Sequence, residues 1–202
     1  NFTHNYIDQL QQFVQKLPYD PTKDLVSIAQ INYAPGAIVV RADKPWKTLK
    51  DMLDYGRQNP GKLSYGTSGV GSAHHLSGEL LSILANIQMV HVPYKGASPA
   101  MLDLRGGRIS YLGTSLASAA QFVREGKIRA IATTGTTRPR IYPDVPTVAE
   151  SGYPGFVVMG WYGIGAPAGT PREGGTRRNA ASITGRKKPE TGEMGAKGGA
   201  EG

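Results

Sequence analysis

KLSYGTSGVGSAHHLSGELLSIL, Lys62 to Leu84, holds the change of pattern on which the fold turns. Leu63–Tyr65 reads as a short buried strand that closes at Tyr65-Gly66. From Ala73 onward, Leu76, Leu80, Leu81 and Leu84 recur at helical spacing. Thr67–Ser72 is therefore a glycine-rich loop between a strand end and a helix start. The first N–H groups of a helix have no intrahelical partner and carry the positive end of the macrodipole. Glycines let backbone approach a ligand closely, so an anion site is physically natural here. A turn that only joins strand to helix is the plain alternative.

Spacing removes the nucleotide motifs. A dinucleotide fingerprint needs G-x-G-x-x-G, but Gly69-Val70-Gly71-Ser72-Ala73 is followed by His74, so the third glycine is missing. A P-loop needs a lysine after its last glycine, and none is present. A nucleophile elbow needs G-x-S-x-G, and Gly66-Thr67-Ser68-Gly69-Val70 fails at its final position. His75 as a base for Ser68 stays open as a hydrolase alternative. His74 and His75 fall on different helix faces with no H-x-x-x-H pattern or carboxylate partner, so no metal site is expected.

The pattern of this stretch repeats along the chain. Short apolar runs read as strands at Leu25–Ile31, Ala37–Val40, Leu63–Tyr65, Met89–Val92, Ile109–Leu112, Ile128–Thr133 and Phe156–Met159. Helical signals lie between several of them. Thr48 opens T-L-K-D, an N-cap with an acid three residues on, and Pro60-Gly61 ends that helix after Asn59. Ser98-Pro99 reads as an N-cap and N1 proline, with Met101, Leu102 and Leu104 as the apolar stripe. Leu116–Glu125 ends at Gly126. Helices alternating with short buried strands predict an α/β fold with a mostly parallel sheet. In HVPYKGASPAMLDLRGG (His91–Gly107), Lys95 is either a second positive edge or a solvated loop lysine. Trp161 reads as a core residue rather than a pocket wall.

Composition bounds the classes. A hydrophobic content of 39% is that of a soluble globular chain, and no apolar run is long enough to span a bilayer. No cysteine is present, which excludes disulfides and thiolate metal sites. The net charge of +8 is scattered, with one run at Arg186–Lys188, so nucleic-acid binding is not expected. The start NFTHNYIDQL has neither the basic nor the apolar region of a signal peptide. Residues 172–202 hold eight glycines and eleven charged residues, with Ile183 and Met194 as the large apolar side chains. They are expected to form an atypical tail without a buried face.

Six blocks together resemble one family. They are KLPYDPTKDL (Lys16–Leu25), GKLSYGTSGVGSAHHLSGELL (Gly61–Leu81), HVPYKGASPAMLDLRGG, GKIRAIATT (Gly126–Thr134), YPDVPTVAESGYPGF (Tyr142–Phe156) and WYGIGAPAGTP (Trp161–Pro171). In order and spacing they are similar to the Bug/TctC family, the periplasmic solute-binding proteins of tripartite tricarboxylate transporters. The resemblance implies a type II periplasmic-binding-protein fold, two α/β lobes with the ligand in the cleft between them. It implies a periplasmic, monomeric binding protein without enzymatic activity or cofactor. Such a protein delivers a di- or tricarboxylate, acidic amino acid or aromatic acid to membrane permease subunits. The family's anion loop S/T-x-G-x-G-T/S-x-x-H-L is matched by Thr67, Gly69, Gly71, Ser72, His75 and Leu76. Ser68 and Val70 lie inside the same loop. A second contact region maps onto Gly113, Thr114 and Ser115.

The family pattern also sets expectations for the ends. Residues 1–37 and 133–171 would be parts of lobe 1, and 38–132 the carboxylate-loop lobe. The opposing lobe's P-F-x-x-G-G loop has no counterpart in this chain, so that lobe is expected to be incomplete and ligand binding weak or absent. The family's helix after APAGTP is amphipathic. Here Arg172–Ala181 keeps its polar residues and replaces its apolar ones, which removes about 1.5–3 kcal/mol of burial per side chain.

Overall fold

The apolar run AIVV, Ala37–Val40, lies inside the sheet with a paired strand on either edge, and its composition shows why. The computed structural model describes residues 2–4, 16–20 and 22–170, so the 172–202 segment lies outside the described residues. The strands are β1 (Phe2–His4), β2 (Leu25–Arg41), β3 (Leu63–Thr67), β4 (Met89–Pro93), β5 (Tyr111–Ser115), β6 (Ile128–Thr133) and β7 (Met159–Pro167). The described helices are α1 (Leu49–Gln58), α2 (Ala73–Ala85), α3 (Ala97–Arg105) and α4 (Leu116–Arg124).

The chain divides into two compact units, one spanning Pro35–Met159 and one formed by the segments on either side of it. In the first, β2 pairs antiparallel with β5 and, along its other edge, with β6. β3 lies parallel to both β5 and β4. The sheet order in this unit is therefore β4-β3-β5-β2-β6. Ile38 and Val40 point into one core, with Leu49, Met52 and Leu53 of α1 and Leu81 of α2. Ala37 and Val39 point into the other, with Ala100 and Leu104 of α3 and Leu116 and Ala119 of α4. A strand buried on both faces is a continuous apolar run, as AIVV is, and a layer of helices covers each face. In the other unit, β1 pairs antiparallel with β7, Phe2 opposite Ile164.

Several elements differ from their predicted extents for local reasons. β2 is one strand of 17 residues, where the sequence reads as two separate strands, Leu25–Ile31 and Ala37–Val40. Proline has no N–H to leave unpaired, and the Gly36 N–H donates to the Thr134 hydroxyl at 2.8 Å. Helix α3 starts after Gly96, whose φ is +107°, so Ser98 and Pro99 sit in the first turn. Phe156 precedes β7 and is a fully buried core side chain rather than a strand residue. Trp161 lies in β7.

Residues 133–159, expected with the flanking lobe, pack with the sheet of the first unit. The Thr133 N–H donates to Pro146 O, the Val148 N–H donates to Thr133 O, and Val148 and Phe156 fill the core of Tyr65 and Trp46.

The α1 capping box has formed. The Thr48 hydroxyl accepts from Asp51 N–H at 3.2 Å, and the Asp51 carboxylate accepts from Thr48 N–H at 2.9 Å. These backbone bonds hold the Asp51 carboxyl below its usual range. Thr48→Ala is expected to lower stability by about 1 kcal/mol in urea unfolding with an unchanged m-value. A change in m would show instead that the substitution alters more than the cap.

Candidate functional site

The parallel strands β3 and β5 are neighbours, and the chain leaves them in opposite directions. β3 runs through α2 to β4 on one side, while β5 runs through α4 to β6 on the other. Such a reversal opens a crevice at the carboxyl ends of the two strands, where open α/β sheets bind ligands. Two helix starts flank it, with Ser72 capping α2 and Ser115 capping α4.

The loop from β3 to α2 is braced from within. Gly69 and Gly71 have φ of +147° and +77°, in the region that favours glycine. Thr67 is fully buried. Its hydroxyl accepts the Gly69 N–H at 3.3 Å and lies 2.7 Å from His91 Nε2. The Ser72 hydroxyl donates to Gly69 O at 2.8 Å and accepts from His75 N–H at 3.2 Å. The Gly71 N–H donates to His75 Nδ1 at 3.1 Å. The β4–α3 connection supports the outer side, with Tyr94 N–H on Thr67 O and Gly96 N–H on Ser68 O. The Thr67 and Ser72 hydroxyls thus hold the loop together. Facing outward are the exposed Ser68 and Val70 side chains, and the Val70 N–H finds no acceptor among the described residues.

The second predicted contact region sits at the end of β5. Thr114 is buried, and the Ser115 hydroxyl accepts from Ser118 N–H at 3.2 Å as the α4 cap. The fold brings this end beside the first loop. A methyl built on Gly113 would lie 3.2 Å from His74 Cβ, and one on Gly36 3.1 Å from His74 Cδ2. His74, which the motif match passed over, therefore fills the junction of β2, β5 and α2. Lys95 is exposed in the loop before α3.

A family model described as tripartite tricarboxylate transporter family receptor matches residues 3–202. The chain belongs to this receptor family. A curated UPF0065 protein from the tcbD-tcbE intergenic region of a Pseudomonas species is 40% identical over 169 residues, covering 83% of this chain and 50% of that protein. The solved structure of a Rhodopseudomonas palustris protein with adipate superposes with a TM-score of 0.89 at 33% identity, covering 93% of this chain and 62% of the other. That of MatC from Rhodopseudomonas palustris with bound malate gives 0.84 at 32%, covering 92% and 63%. The chain spans about half the length of the curated relatives it matches. Family and structural neighbours are periplasmic solute-binding receptors, not enzymes, and the α/β architecture is that of periplasmic binding proteins.

The hydrolase alternative fails on geometry in this receptor chain as well. The His75 Nδ1 is occupied by the Gly71 N–H, and its Nε2 faces Glu79 Oε1 at 3.7 Å. The His75 ring stacks on His91 with centroids 4.0 Å apart. Neither ring nitrogen is presented to Ser68.

A layer the motif match could not show lies beneath the loop. Under His91 lies Tyr65 at 4.9 Å, and under Tyr65 lies Tyr111 at 5.3 Å, nearly parallel. The Tyr65 hydroxyl donates to Glu79 Oε1 at 2.5 Å. Burial raises the Tyr65 hydroxyl pKa, and its bond to Glu79 raises it further. Burial lowers the pKa of His75. Burial, then the neighbouring His75, lowers that of His91 to about 4. Both imidazoles are neutral at pH 7. Among the described residues no cluster of three or more His, Asp or Glu is placed to hold a metal ion.

Proposed function

We propose that the protein captures a small carboxylate in the periplasm, at the β3/β5 switch point, and passes it to membrane permease subunits of a tripartite tricarboxylate transporter. One observation carries this reading: two serine-capped helix starts flank a single crevice, and neither the Ser68–Ser72 loop nor the direct β5–α4 junction at Ser115 contains a lysine or arginine. Such a site attracts an anion through backbone N–H groups and helix ends, worth about 0.3–1 kcal/mol per terminus at an exposed site. The solved relatives with adipate and malate support a dicarboxylate. We further propose that the carboxylate is held by the segment from Thr67 to Ser72, with Thr114 and Ser115 on the far side and His75 behind the loop.

Nuclear magnetic resonance titration with malate, adipate and citrate tests this, because it registers binding even at millimolar strength. Shifts are expected at the Ser68–Ala73 and Ser115–Leu116 amides, saturating with the acid and absent with a neutral sugar. No perturbation by any of the three acids, or perturbation confined to other elements, would overturn the reading.

A further inference from the structure

The anion loop is held at both ends by imidazoles that the motif match does not pair. One is His75 in α2, and the other is His91 in β4, sixteen residues further along the chain. The parallel β3/β4 register sets Tyr65 opposite His91 and Thr67 opposite Pro93, which brings His91 under the loop. We propose that His75 and His91 are a pair of positioning residues: stacked and unprotonated, they hold the Thr67 and Gly71 ends of the loop in the conformation that takes a carboxylate. This rests on the carboxylate-binding reading given above.

The bond to His75 demands a neutral ring, and the stacking of the two rings limits the charge on the pair. An N–H donates from Gly71 to His75 Nδ1, and only an unprotonated nitrogen can accept it. Protonation of that nitrogen would set donor against donor. At the other end, His91 Nε2 lies 2.7 Å from the Thr67 hydroxyl, which also takes the Gly69 N–H. Two imidazolium rings at a centroid distance of 4.0 Å repel one another, so the stack tolerates at most one proton.

The groups facing the pair come from four elements: Glu79 on α2, Tyr65 on β3, Tyr111 on β5 and His91 itself on β4. Tyr65 and Tyr111 are neutral hydroxyls. Tyr111 turns its hydroxyl to Met89 Sδ. Glu79 is the one charge acting on both rings, and it favours protonation. It lies at 3.7 Å from His75 Nε2 and is half exposed, so burial of the rings outweighs it.

The direction of the pH effect follows. With folded pKa values below the free histidine value, the unfolded chain binds more protons as pH falls below about 6.5. The stacked arrangement is intact above that pH and is lost progressively as pH drops toward the His91 value of about 4. Ligand carboxyls titrate in part of the same window, so affinity alone does not isolate the histidines.

The experiment uses amide hydrogen exchange at Gly71 and imidazole nitrogen shifts of the full chain, read from about pH 7 to about pH 4.5. In the parent chain, His75 is expected as the neutral tautomer with Nδ1 unprotonated. Gly71 exchange, corrected for its intrinsic rate, should accelerate about tenfold as the rings protonate. His75→Asn places an amide oxygen near the Nδ1 position and cannot protonate, so Gly71 protection should become independent of pH. His75→Phe keeps the stack without the acceptor, and protection should be absent throughout.

Malate titration in the same samples should show a larger loss between the two pH values in the parent chain than in His75→Asn. Gly71 protection that is constant with pH in the parent chain, or equal in the Phe and Asn variants, would overturn the proposal. If malate binds none of the chains, the carboxylate reading fails while Gly71 exchange still decides the role of the histidines.

Discussion

A Gly78→Ala variant is expected to melt about 4–8 °C below the parent chain in scanning calorimetry. On an exposed helix the same change would stabilise by about 0.8–1.0 kcal/mol, because alanine is the better helix former. Gly78 lies on the buried face of α2, and a methyl there would meet Tyr65 Cε2 at 2.3 Å and Cζ at 2.7 Å. The ring has nowhere to retreat. Tyr111 stacks against it, His91 packs on it, and its hydroxyl is tied to Glu79 on the same helix. Overpacking at the upper end of the usual range, about 3 kcal/mol, exceeds the propensity gain and leaves a net loss of about 2 kcal/mol. Ile83→Ala on the same helix, 74% exposed, is the control and should stay within about 0.5 kcal/mol. A higher melting temperature for Gly78→Ala would show that the Tyr65 ring yields, and with it the rigidity assigned to the stack.

Much of this architecture is legible in local pattern, and the remainder is not, for a reason of range. T-L-K-D announces the α1 start because a capping box is made within four residues. AIVV announces a strand buried on both faces. The strand–glycine loop–helix reading of Lys62–Leu84 places the anion loop where it lies, between β3 and α2.

The start of α3 is a different case. Ser98-Pro99 satisfies N-cap rules, yet the chain turns at Gly96, where a positive φ is accessible without strain. The continuity of β2 through Pro35 depends on the Thr134 hydroxyl, 98 residues away in sequence. His91 and the two tyrosines are brought together only by the register of three parallel strands, and His75 reaches them from α2. His74 is conspicuous in the sequence, but its place beside Gly36 and Gly113 exists only once β2 and β5 are side by side. Residue types at these positions carry no periodic signal, so the motif gives the loop and the sheet supplies what holds it.

A Gly71→Val substitution should weaken dicarboxylate binding about 5–30-fold in the malate titration. Gly71 has a φ of +77° and is buried, with its N–H on His75 Nδ1. An L side chain in that region costs about 1–2 kcal/mol, and a β-branched one is a genuine outlier there. The chain has two responses. If the loop keeps its conformation, the strain appears as lower stability and the N–H groups still point at the crevice. If the loop relaxes, the His75 bond breaks, the Thr67–Ser72 backbone reorients and the strain appears as lost affinity. The second response is expected to dominate, because the Ser68 and Val70 side chains are exposed and the Val70 N–H has no acceptor among the described residues to hold it in place. Melting temperature should therefore change less than affinity. Unchanged malate affinity alongside a lowered melting temperature would mean that the loop keeps its conformation under strain, and would overturn the expectation that it relaxes; lost loop order with unchanged affinity would move the carboxylate contact to the β5–α4 end of the crevice.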